Sequence, residues 1–155
     1  MVDEAQLVTE TQMESWVSEF DYWEICDQCC MNLFEKTPFA YQKAVEWSKR
    51  AEEYVKRAGF VLMARLAVSD KKAADDRFEA FFPLIEREAG DPRDMVKKGV
   101  NWALRQIGKR NLALNRQAII VGQRIQQQES KAAQWVARDA LKELTGTAVQ
   151  SRLKS

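Results

Sequence analysis

Val55-Lys56-Arg57-Ala58-Gly59 returns 41 residues later as Val96-Lys97-Lys98-Gly99-Val100. Asn101-Trp102-Ala103-Leu104-Arg105-Gln106-Ile107 returns more loosely, at an offset of 37, as Arg138-Asp139-Ala140-Leu141-Lys142-Glu143-Leu144. A unit of about 40 residues has the length of a helical pair, and one such pair cannot bury its apolar face alone, so copies stack. The short-range spacing agrees with helices: Trp16, Phe20 and Trp23, then Val55, Gly59, Leu62 and Leu66, then Val96, Trp102, Leu104 and Ile107 each fall on one helical face. Six glycines and three prolines are too few for the many tight turns of a sheet protein.

The chain is therefore expected to be all-α, with helices over 10–20, 22–36, 38–50, 52–69, 74–88, 92–110, 113–128 and 130–145. That is about four helix pairs in a HEAT-like, armadillo-type superhelix; from pattern alone a plain helical bundle accounts for the same periodicity. Thr37-Pro38 and Asp91-Pro92 read as N-caps followed by proline at the first helical position, Thr9 with Gln12 has capping-box spacing, and Ser130 caps the last helix. Gly90 and Gly146 stand where helices should close in the left-handed conformation.

With 155 residues and 46% hydrophobic content, the whole of 1–155 fits one domain with a sizeable core. Net charge is only +1, but its distribution is uneven. Residues 1–35 carry nine carboxylates and no base, whereas 95–128 carry Lys97, Lys98, Arg105, Lys109, Arg110, Arg116 and Arg124 and no acid. The first residues are acidic where a secretory signal would be basic, and no apolar run approaches the ~18 residues that span a bilayer. A cytoplasmic protein without a membrane partner is expected.

Cys26, Cys29 and Cys30 crowd within five positions, too close for a disulfide framework. With no histidine in the chain and no second cysteine pair, a zinc site lacks ligands, so no metal or other cofactor is expected and the thiols read as small packing residues. Neither a phosphate-cradling glycine loop nor a nucleophile elbow nor a zinc-protease motif is present.

Three segments carry a more specific signal. They are Tyr22-Trp23-Glu24-Ile25-Cys26-Asp27-Gln28-Cys29-Cys30, then Glu53-Tyr54-Val55-Lys56-Arg57-Ala58-Gly59-Phe60, and then Val96 to Asn111, which reads VKKGVNWALRQIGKRN. In this order and at these separations the chain resembles the DNA alkylation-repair glycosylases built from HEAT-like repeats, of the AlkD type. The similarity runs from about residue 7 to 145 and corresponds to the C-terminal two thirds of that family, so its N-terminal repeats are expected to be missing here.

The resemblance implies a solenoid whose concave face binds duplex DNA by its phosphates and which removes N3- or N7-alkylated purines without flipping the base. It places the catalytic aspartate on Asp27, the lesion- and deoxyribose-contacting tryptophans on Trp23 and Trp102, and a phosphate-facing arginine on Arg57. The residue chemistry makes sense of those types. An alkylated purine is already cationic and leaves readily, so the remaining task is to stabilise positive charge growing on the deoxyribose and to position a water, which a carboxylate in a partly dry cleft can do. Trp23 and Asp27 are i and i+4 on one helix face, and an indole face favours a cation. Arg57 can hold a phosphate in bidentate fashion. Lys97, Lys98, Arg105 and Lys109 join it as phosphate-binding candidates if they share a groove.

Each of these residues has a plainer role available. A helix aspartate is commonly just solvated, Trp102 fits a core position, and Trp16, Trp47 and Trp135 read as packing. HEAT-like scaffolds also serve as non-catalytic DNA- or protein-binding modules, which stands as the alternative function. Without a capping repeat, helices 10–20 and 22–36, with Leu7, Met13, Trp16 and Val17, are expected to pair with a second copy in a homodimer.

Overall fold

The computed structural model describes residues 36–154. Its eight helical segments in that span are α1 (Ala40–Ser48), α2 (Glu53–Ser69), α3 (Asp75–Glu79), α4 (Phe82–Glu88), α5 (Asp94–Gly108), α6 (Leu112–Gln126), α7 (Lys131–Leu144) and α8 (Thr147–Lys154). The described residues contain no strand, so the all-α expectation holds. No helix among them is long and apolar enough to cross a membrane.

The helices form two rows. In one row α2 packs on α5 and α5 on α7; in the other α1 packs on α4 and α4 on α6. Cross-contacts of α1 with α2, α4 with α5 and α6 with α7 join the rows. The first row begins its helices at Glu53, Asp94 and Lys131, which reproduces the offsets of 41 and 37 in the sequence. Val55, Gly59, Leu62 and Leu66 are all buried, as are Val96, Leu104 and Ile107. The core runs between the rows as one cluster.

α2 is covered on nearly every side: all but one of the residues from Val55 to Ala67 are buried, Lys56 and Arg57 among them. Its approach to α1 depends on Gly59, where an added Cβ would come within 2.5 Å of the Ser48 amide nitrogen and 2.9 Å of the Ala44 carbonyl oxygen. Backbone cannot yield as a side-chain tip can, so no larger residue fits at this contact. On the facing side Trp47 of α1 is fully buried.

Several boundaries differ from expectation for identifiable reasons. The segment expected as one helix over 74–88 is broken at Ala80 and Phe81, because Pro83 has no amide proton for the Glu79 carbonyl and its ring would press on that oxygen. Thr37 and Pro38 stand before α1 rather than starting it; the Thr37 carbonyl accepts from Ala40, and the N-cap position falls on Phe39. Asp91 likewise turns the chain instead of capping the helix. Its carboxylate accepts from the Arg93 amide at 3.1 Å, and α5 starts at Asp94.

Ser130 caps α7 as expected, accepting from the Ala133 amide at 3.2 Å, and Asn111 caps α6 in the same way at 2.8 Å. Neither Gly90 nor Gly146 adopts a left-handed conformation. Gly146 instead opens α8, its carbonyl accepting from the Gln150 amide, and a side chain there would crowd the Lys142 and Glu143 carbonyls. α8 itself was outside the expected helices. The buried Asn115 amide, which donates to the Gly108 carbonyl at 2.9 Å and accepts from Gln150 at 3.1 Å, ties α8 to the ends of its neighbours.

Candidate nucleic-acid interface

Along α5, Lys98, Trp102, Arg105 and Lys109 recur at intervals of four, three and four residues, which confines them to an arc of about 60° on the helix. The opposite face, with Val96, Val100, Ala103, Leu104 and Ile107, is buried in the core. Packing on one side therefore forces the four polar and aromatic groups onto the other. Lys98 is exposed and meets no carboxylate among the described residues. Trp102 is half-buried: part of the indole packs on the core and part faces outward.

Arg105 and Lys109 point toward α7. The Arg105 Nε donates to Asn101 Oδ1 at 2.8 Å, and its Nη1 donates to Glu143 Oε2 at 3.2 Å, with Asp139 Oδ2 at 3.9 Å. Lys109 Nζ lies 2.6 Å from Glu143 Oε1, a close ion pair. Burial acts to raise the Glu143 pKa, but Lys109 and Arg105 outweigh it and hold the carboxyl below its ordinary range.

Lys97 stands to the side of the stripe, in the seam between α5 and α7. Its ammonium is 5.1 Å from the centre of the Trp135 ring and 3.4 Å from Asp94. One turn on, the buried Asn101 amide donates to the Val136 carbonyl at 3.1 Å, which fixes the register of the two helices. The tryptophan at 135 is thus half-buried packing beneath a cation.

Arg57 lies at the N-terminal end of the same helix, on α2. It is only 6% exposed, and its Nη1 donates to the Met95 carbonyl in the first turn of α5 at 2.8 Å. Beside it a second charged group is also buried: Lys56 Nζ meets Glu88 Oε1 at 2.7 Å and Asp91 Oδ2 at 2.9 Å. Arg93 donates to both oxygens of Asp91 and to the Ala51 carbonyl. The Arg93 hydrogen bonds, opposed by burial and joined by Lys56, hold the Asp91 carboxyl well below the usual range.

Of the candidates named from sequence, the structure brings Lys98, Trp102, Arg105 and Lys109 to one face, sets Lys97 beside it and Arg57 at its end. Asp27 and Trp23 lie outside the described residues, as do Trp16, the three cysteines and the helices expected to dimerise. Sequence reasoning missed the facing acids. Asp139 and Glu143 are i and i+4 on α7, so they share one face of that helix, but the 37-residue offset aligns them with Trp102 and Gln106 and does not announce their contact with Arg105 and Lys109.

A family model described as DNA alkylation repair enzyme matches residues 2–144. No curated protein and no solved structure matches the chain.

Proposed function

Because the chain belongs to the DNA alkylation repair enzyme family, its role is in DNA alkylation repair, and we propose that it carries out that role as a DNA glycosylase releasing N3- or N7-alkylated purines from duplex DNA. The observation that carries this reading is the alignment of Lys98, Trp102, Arg105 and the C-cap Lys109 along one face of α5, with Arg105 and Lys109 leaning toward Glu143 of α7. Lysine and arginine there would take successive backbone phosphates, and Trp102 would lie between them against the lesion-bearing sugar. DNA is the partner that membership of a repair family implies.

On this reading Asp27 and Trp23 complete the chemistry from the N-terminal part of the chain. The cationic base departs with the electrons of the glycosidic bond. Carboxylate and indole together favour the positive charge left on the deoxyribose, and a water held by Asp27 adds to it, giving up its proton to that carboxylate. The HEAT-like description fits the two rows of helices, each packed on the next. Incubating the purified protein with duplex DNA treated with a methylating agent should release methylated purine bases. Asp27→Asn should abolish release while leaving duplex affinity within about twofold, since it removes no phosphate contact. Binding without release by the unaltered chain would favour the non-catalytic DNA-binding alternative, and neither binding nor release would overturn the glycosylase reading and leave only a protein-binding scaffold.

A further inference from the structure

Beyond the far end of the α5 stripe the chain folds around a cavity of about 850 Å³, lined by Lys71, Gln106, Lys109, Arg110, Asn111 and Arg152 among others. Its volume falls within the range of ordinary small-molecule sites. Four of the lining side chains are cationic (Lys71, Lys109, Arg110 and Arg152) and a single one, Asp75, is acidic. Glu143, outside the lining, offsets Lys109, and the positive charge that remains makes this open cavity attractive to anions.

The lining is built rather than incidental. The Arg110 guanidinium is fixed by three contacts: it donates to the Ala67 carbonyl at 3.0 Å and the Ala73 carbonyl at 2.9 Å, and it covers the Phe78 ring at 4.4 Å. Arg152, brought in by α8, donates to the Lys109 carbonyl at 2.6 Å. The one acid in the lining is engaged by its neighbour, with Asp75 Oδ1 accepting from Asn111 at 2.8 Å. Asn111 is also the N-cap of the fifteen-residue α6, so the positive end of that helix's dipole meets the cavity wall. Lys71 is exposed and has no partner among the described residues. Two fixed guanidinium groups with a free ammonium at the rim form a receptor for a compact, multiply charged oxyanion.

We propose that this cavity is a phosphate-binding site, taking either a backbone phosphate of DNA that runs on past Lys109 or the phosphate of a free nucleotide. It does not depend on base excision, and it is read first with a probe that contains no DNA. Calorimetric titration of the full chain with inorganic pyrophosphate should show saturable binding. Lys71→Glu should weaken that binding about tenfold, while Lys72→Glu, which makes the same charge change on a neighbouring exposed residue outside the lining, should change it less than about twofold. The same pair of variants separates the sources. A parallel loss of duplex affinity in Lys71→Glu assigns the phosphate to DNA; unchanged duplex affinity, with deoxyadenosine monophosphate following pyrophosphate, assigns it to a nucleotide. Absence of pyrophosphate binding at millimolar concentration, or equal effects of Lys71→Glu and Lys72→Glu, would overturn the proposal, because attraction would then be general charge and not this cavity.

Discussion

Gly59 shows how much can rest on one residue without a side chain. The predicted Cβ contacts are with the backbone of α1 at Ala44, Trp47 and Ser48, so Gly59→Ala must move a helix and not a rotamer. A loss of about 2–3 kcal/mol in urea unfolding is expected, despite alanine's better helix propensity. A stabilised variant would show that α1 and α2 can separate at little cost. The burial of Gly59 follows from its helical spacing with Val55, Leu62 and Leu66. The reason for its being glycine does not, because that depends on where α1 lies against it. Asp91 teaches the same lesson: its place before Pro92 suggests a helix cap, whereas its oxygens are taken by Arg93 and Lys56, the latter 35 residues away.

Among the elements, α5 and α7 matter most. Lys98, Trp102, Arg105 and Lys109 were legible as one face because helical periodicity alone decides it. The counter-charges were not legible in the same way, since they belong to another helix whose register is set by Asn101 bonding Val136. Glu143 holds Arg105 and Lys109, so on the proposed reading it competes with DNA phosphates for them. Glu143→Gln should therefore raise duplex affinity several-fold at low salt, with a steeper dependence on salt as two further cations reach phosphates. Lys98→Glu, which breaks no internal contact, should lower affinity and flatten the salt slope by about one unit. Filter binding across a salt series reads both; an unchanged slope in each variant would place DNA on another face. The break before Pro83 could have been read from the chain by the same rule that places proline at helix starts. α8 could not: Thr147–Lys154 has a single buried residue, Val149, and is held by polar contacts to Asn115 and Leu144.

At the scale of the whole molecule, stability should depend on pH through the charges that lock α2 to the end of α4 and the loop that follows it. Asp91 and Glu88 are held below the 3.8 and 4.5 of free carboxyls. Their contribution is complete above those values and is lost as pH falls through the lower folded-state values. Burial acts to lower Lys56, but Glu88 and Asp91 outweigh it and raise it above the 10.5 of a free lysine. Its contribution is complete below that value and fades as pH climbs past it toward the raised one. Unfolding free energy should thus be flat near neutrality and decline below about pH 4.5. Asp91→Asn should shrink the difference between pH 7 and pH 3, and an undiminished difference would assign acid sensitivity to other groups.

A helix buried on nearly every side has nowhere to wait. α2 cannot stand in water as an isolated amphipathic helix could, since its buried residues encircle it. Its main described cover, α1 and α5, lies on both sides of it in the chain, and α5 is translated 41 residues after α2 begins. During synthesis there is consequently an interval in which the most apolar stretch of the chain has left the ribosome while half of its cover has not. Growing chains arrested between Ser69 and Gly108 should be those that holdase chaperones retain longest, and extension past Gly108 should release them.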